Sequence, residues 1–290
     1  MSHADGGLAG WQGAPAVAGE RIEALIAATG ARARPLADAP HWGYQRAAAG
    51  GTVLLVDAAP PPVARHARCG CASTLAMELS HGRHRLVVSC GGAATAGGLV
   101  PARIEQGLRA SAAHSALVLG DANSTAVQIN GKLGSGVGEV EVDRRRGEAG
   151  GMGAAIIEAS HNGYASRFGL LHRRILTLTD DGRSLSGEDR LEPAGRKGGR
   201  GMVPFALRFH LGFGVEATLD EAASTAMLDL PDGGAWAFSI ENGTLELDES
   251  LWVDGEGCPH GTTQLVIQGM ASRRGENFAW RFEQVQEGME

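Results

Sequence analysis

Cysteines and histidines stand at the edges of several apolar runs in this 290-residue chain. Cys69-Gly-Cys71 precedes the run 75–80, Cys90 follows the run 85–89, and His114 precedes the run 115–119. Strand ends of one sheet can converge, and thiolate and imidazole are favoured zinc ligands, so Cys71, Cys90 and His114 are candidate metal ligands. A lone Cys-x-Cys lacks the repeated, wider spacing of a structural zinc site, and Cys90 also reads as a small buried hydrophobe. A second set lies in residues 159–174. His161 and His172 bracket Tyr164 and Arg167, and Arg174 follows. On a strand–turn–strand unit these side chains can face one groove. There an arginine pairs with a carboxylate while His or Tyr moves protons. His161, Tyr164 and Arg174 are therefore candidate binding residues for an acidic sugar. The alternative is that His172 packs within a strand and Tyr164 covers a sheet edge. His210 reads as structural on the same ground.

Short strands must position these groups. Glycine is abundant, at 44 residues, and aromatics make up only 5%, a mix suited to many tight turns and few long helices. One helix is expected at residues 20–29, where Ile22, Leu25 and Ile26 have helical spacing and Gly30 is a stop signal. It would serve as a lid or connector. Strands are expected at 52–57, 75–80, 85–89, 115–119, 138–143, 154–159, 170–179, 185–191, 205–211, 215–219, 225–230, 235–240, 245–251 and 264–269. Asp180-Asp-Gly182 and Asp232-Gly-Gly234 are hairpin signals, so residues 170–190 and 225–240 read as hairpins. Residues 91–107 and 193–201 read as loops. Strands recur without βαβ alternation, which points to an all-β fold: a large antiparallel β-sandwich with one short N-terminal helix. Residues 1–41 form the connector and residues 42–290 the sandwich.

Composition excludes several classes. The net charge of −7 provides no global basic field for nucleic acid. Arginine-rich spots at Arg144-Arg145-Arg146, Arg173-Arg174, Arg196-Lys197 and Arg273-Arg274 read as solvated turn charges. No apolar run approaches the ~20 residues that span a bilayer, and residues 1–20 carry no secretory pattern. The expected compartment is cytoplasmic, or periplasmic if the true N-terminus lies upstream. Four cysteines do not make a disulfide framework for a chain this long. A Walker loop, a dinucleotide-binding glycine fingerprint and a Gly-x-Ser-x-Gly elbow are all missing.

Several segments occur in a telling order: Gly43-Tyr-Gln-Arg46, residues 52–62, Met77-Glu-Leu-Ser80, Val87-Val-Ser-Cys-Gly91 and Ser111-Ala-Ala-His-Ser115. His161-Asn-Gly-Tyr164, residues 168–174, Gly187-Glu-Asp189, residues 205–211 and Glu249-Ser250 continue it. From about Asp5 onward this order resembles the C-terminal β-domain of the heparinase II/III family of polysaccharide lyases. The resemblance implies a supersandwich-like β-domain that follows an N-terminal α/α toroid. It also implies β-elimination on uronic-acid polysaccharides: the C6 carboxylate is neutralised, a base removes the C5 proton, and an acid protonates the leaving O4. Much of that machinery lies in the toroid. The expectation is the C-terminal part of a lyase, inactive without an α/α toroid, with an acidic polysaccharide as partner and catalytic residues unassigned. The alternatives are a non-catalytic module that binds carbohydrate or a toroid subunit, and a purely structural sandwich. The resemblance also implies a structural zinc. Its His-x-His positions fall on Cys69 and Cys71, its Asp position on Ser89, and a nearby tyrosine on Ala93, while His114 matches directly. Cys71, Cys90 in place of the Asp, and His114 are the implied ligands.

Overall fold

The computed structural model describes residues 2–5, 7–11, 16–32, 36–39, 41, 43–62, 70–91, 100–128, 132–195 and 199–285. Cys69, Ala93, Arg196 and Lys197 lie outside them.

The strands in chain order are β1 (Asp38–Ala39), β2 (Tyr44–Ala49), β3 (Thr52–Asp57), β4 (Met77–His81), β5 (His84–Val88) and β6 (Leu117–Leu119). Then come β7 (Val140–Ala149), β8 (Met152–His161), β9 (Leu170–Thr179), β10 (Ser184–Pro193), β11 (Met202–Leu211) and β12 (Glu216–Leu219). The last five are β13 (Thr225–Asp229), β14 (Ala235–Ile240), β15 (Thr244–Val253), β16 (Pro259–Ser272) and β17 (Glu276–Gln284). The helices are α1 (Gly19–Thr29), α2 (Ala102–Gly107) and α3 (Ala165–Phe168). One sheet has nine strands in the order β1-β2-β3-β4-β5-β11-β16-β15, with β6 paired to β11. The other has eight, in the order β12-β13-β14-β17-β10-β9-β8-β7. Every pairing is antiparallel, so the chain folds as a β-sandwich.

Side-chain alternation drives the packing. In β9, Leu170, Leu176 and Leu178 point into one large apolar core with Leu185 and Leu191 of β10 and Phe278, Trp280 and Phe282 of β17. Burying this apolar surface is the main favourable term. Gly187 of β10 lies opposite Trp280, and a Cβ there would collide with the indole. Only a glycine lets that ring lie flat across the strand.

The structure changes four expectations. β17 sits between β10 and β14 in its sheet, yet the strands read from the sequence stop at 269. Arg144, Arg145 and Arg146 lie within β7, not in a turn. The expected loop at 91–107 contains α2. Helix α1 forms where expected but fully buries only Gly19, and Leu25 is 57% exposed, so among the described residues it covers little. The described cysteines, Cys71, Cys90 and Cys258, are free thiols. Among the described residues no helix is long and apolar enough to cross a membrane.

Candidate functional site

The β8–β9–β10 register sets the first cluster. His161 of β8 lies opposite His172 of β9, and Arg174 of β9 lies opposite Asp189 of β10. Alternation points His172 and Arg174 inward along with the leucines of β9. The Gly163 amide donates to His161 Nδ1 at 3.0 Å. That leaves Nε2–H of His161 to donate to His172 Nδ1 at 3.3 Å, and Nε2–H of His172 to donate to Asp189 Oδ1 at 2.7 Å. Both imidazoles are therefore satisfied as neutral tautomers. Burial pushes His161 well below the usual histidine range, helped by the neighbouring His172 and Arg174, and lowers His172 against the opposing pull of Asp189.

Asp189 is the hub. Burial alone would raise its pKa, but the Arg174 charge and the His172 hydrogen bond hold it far below the usual carboxylate range. Arg174 donates from Nε at 2.7 Å and Nη2 at 3.2 Å, and Trp280 Nε1–H donates at 2.8 Å. Nη1 of Arg174 crosses to the other sheet and donates to the carbonyls of Leu75 (2.7 Å) and Ser115 (2.8 Å). Leu75 has a φ of 64°, a left-handed conformation that is costly for a leucine. The Arg174 contact helps to hold it. Tyr164 donates to the Leu117 carbonyl at 2.7 Å, and burial raises its pKa.

The structure thus gathers His161, Tyr164 and Arg174, but inside the sandwich. Their exposures are 2%, 1% and 1%, and each polar group has an internal partner. Arg167 is exposed and stands apart from them.

The second cluster concerns the metal candidates. Cys90 Sγ lies 3.5 Å from His210 Nδ1, which accepts from Ser250 Oγ at 2.7 Å, while His210 Nε2 donates to the Ala112 carbonyl at 2.9 Å. Burial pushes the Cys90 thiol up to about 11 and His210 down to about 4. Cys71 sits near Tyr44, whose pKa is raised by burial and by the charges of Asp57, Cys71 and Glu78. His114 is fully buried, and among the described residues neither ring nitrogen has a hydrogen-bond partner. Burial and the nearby His210 lower it to about 3. Among the described residues no group of three or more His, Cys, Asp or Glu is placed to hold a metal ion. Among the described residues Cys71, Cys90 and His114 do not come together as such a group, and the orphaned His114 imidazole is the one feature there that fits zinc.

A prediction follows for His114. An orphaned buried imidazole costs about 1–3 kcal/mol in unmet hydrogen bonding. His114→Leu is expected to leave the melting temperature unchanged or raise it, with no change in bound zinc by elemental analysis. A fall in both would restore the ligand role.

The sequence reading missed a third cluster. Residues 2–5 and 7–11 strap across β3–β5. His3 Nε2 lies 2.7 Å from Glu78, Ala4 N–H donates to Ser80 Oγ at 3.0 Å, and Trp11 Nε1–H donates to Ser89 Oγ at 2.7 Å. The Trp11 ring stacks on Tyr44 at 5.4 Å and packs on Val53 and Leu55. This explains why β3 is apolar on both faces. It also occupies Ser89, the position at which the resemblance implies an Asp ligand.

Comparison with known proteins fixes the family. The family model described as Heparinase II/III-like, C-terminal, matches residues 31–281. The chain belongs to this family. The FtsZ-localized protein C of Caulobacter vibrioides is 29% identical over 96% of the chain and 48% of its own length. The heparan sulfate lyase HepC of Pedobacter heparinus superposes with a TM-score of 0.74 at 12% identity, over 99% of this chain and 45% of that one. A heparinase III structure gives 0.64 at 14% identity, over 85% and 36%. At those identities the two lyases share the fold with this heparinase II/III-like domain. The chain spans about half the length of these relatives.

Proposed function

We propose that this chain is the sandwich half of a heparinase II/III-like polysaccharide lyase and performs no β-elimination on its own. In this reading, cleavage of a uronic-acid polysaccharide needs an α/α toroid to supply the base and the acid. One observation carries it: His161, His172 and Tyr164 are buried and tied to internal partners. A general base must come within hydrogen-bond reach of the substrate proton. The purified chain, incubated with heparan sulfate, is expected to produce no growth in the ultraviolet absorbance of an unsaturated uronate. Steady growth that His161→Ala abolishes would sink the reading.

The FtsZ-localized relative supports a second reading, since it matches this chain at more than twice the identity of HepC. In that reading the sandwich is a non-catalytic binding module in an FtsZ-associated assembly. Co-sedimentation of the chain with FtsZ polymers tests it, and a chain left in the supernatant at every concentration argues against it.

A further inference from the structure

Two of the four basic clusters singled out in the sequence are largely neutralised by ion pairs in the fold. Arg145 pairs with Asp143 and Glu158, Arg146 with Asp180, Arg173 with Glu158 and Glu192, and Arg174 with Asp189. Arg144 donates instead to the carbonyls of Ala37 and Arg46, and at one end of the sandwich four further arginines gather without an ion pair. Arg167 of α3, Arg200 of the loop before β11, and Arg273 and Arg274 of the β16–β17 turn have no carboxylate within ion-pair distance among the described residues.

Three segments hold these arginines together. The guanidinium carbons of Arg167 and Arg273 lie 5.2 Å and 5.8 Å from the centroid of one ring, that of Phe168. The Arg273 amide donates to the Gly201 carbonyl at 3.1 Å, and Gly199 packs against the Arg273 side chain, which seats Arg200 beside the turn. The nearby carboxylate Glu276 faces the turn backbone and accepts from the Ser272 amide. Phe168 is buried, so the two cations over it are ordered in advance and lose less freedom on binding.

We propose that Arg167, Arg200, Arg273 and Arg274 form a non-catalytic binding site for an acidic polysaccharide chain. The guanidinium fork matches carboxylate and sulfate oxygens in pairs. The four charges spread over an open end of the fold, which suits an extended polyanion better than a small anion in a pocket. With the Phe168 ring buried, the site offers no aromatic face on which a nucleic-acid base would stack. None of the four can act as a general base at neutral pH, so the site holds a chain without cutting it. Binding here is independent of whether elimination occurs, so it stands or falls apart from the reading above.

Titration calorimetry of the full chain with a heparin oligosaccharide tests the site. Binding is expected at low salt and should weaken as salt rises. Arg200→Ser with Arg274→Ser removes two exposed cations that touch nothing in the core and should weaken binding about tenfold or more at an unchanged melting temperature. Arg167→Ser with Arg273→Ser should do the same, and Arg145→Ser with Arg146→Ser should not. The proposal is overturned by any of four results: no binding by the wild-type chain, unchanged affinity in both patch variants, equal loss in the β7 control, or binding only to anionic phosphatidylglycerol vesicles.

Discussion

Asp189→Asn is expected to destabilise the domain by about 3–5 kcal/mol, the usual cost of removing one partner from a buried ion pair. The side chain is nearly isosteric, so no cavity opens. The charge is lost, and Arg174, 1% exposed, remains in the core without a counter-ion. The amide oxygen can still accept from His172 and Arg174 Nε, but the amide NH2 in the Oδ2 position is a donor and faces the donors Arg174 Nη2 and Trp280 Nε1. Arg174 also ties the two sheets together through the carbonyls of Leu75 and Ser115, so its displacement frees the strained Leu75 backbone. In a thermal melt the loss should read as roughly 5–15 °C. Arg174→Met combined with Asp189→Leu should recover only part of it, because no charge is stranded but the N–H groups of His172 and Trp280 and the carbonyls of Leu75 and Ser115 lose their partners. The exposed pair of Arg146 and Asp180 is the control, and its removal should leave the melt where it is. An Asp189→Asn protein that melts with the wild type would show that the network does not hold the sandwich.

That pair was readable in advance. The turn at Asp180-Asp181-Gly182 folds residues 170–190 into a hairpin, and counting outward from it places Arg174 opposite Asp189. The alternation of Leu170, Leu176 and Leu178 puts His172 and Arg174 on the same apolar side, which argues against an open groove for Arg174. β17 carries an equally clear alternation in Phe278, Trp280 and Phe282, but the polar residues between them dilute the apolar run. The strap was not readable. His3 and Glu78 are 75 residues apart, and no local pattern announces a partner at that distance. The metal candidates are not gathered among the described residues, for a related reason. Positions at strand ends need not converge: Cys90 turns toward His210, and Cys71 lies near Tyr44.

Acid should unfold this domain early. His161, His172, His114 and His210 are all held neutral by burial, with folded pKa values below the ordinary 6.5. The unfolded chain takes up protons at about 6.5 that the folded chain refuses, so the unfolded state binds more protons and stability falls as pH falls. Above about pH 7 these groups contribute no slope. Between 6.5 and the folded values, about 3 for His114 and about 4 for His210, each costs up to about 1.4 kcal/mol per pH unit. For His114 and His210 that is roughly 2 kcal/mol each at pH 5. Together they remove about 4 kcal/mol of a stability that for an ordinary domain is about 5–15 kcal/mol, and His161 and His172 act in the same direction. Asp189 acts in the same direction further down, since its folded pKa is depressed and its contribution is lost only as pH drops below the usual carboxylate range. Urea titrations from pH 7.5 to 5 should therefore show a steep decline, and His114→Leu should remove one proton's share of the slope. A flat profile across that window would mean that the buried imidazoles take up protons without opening the fold, and the neutral-tautomer chain from Gly163 to Asp189 would be wrong.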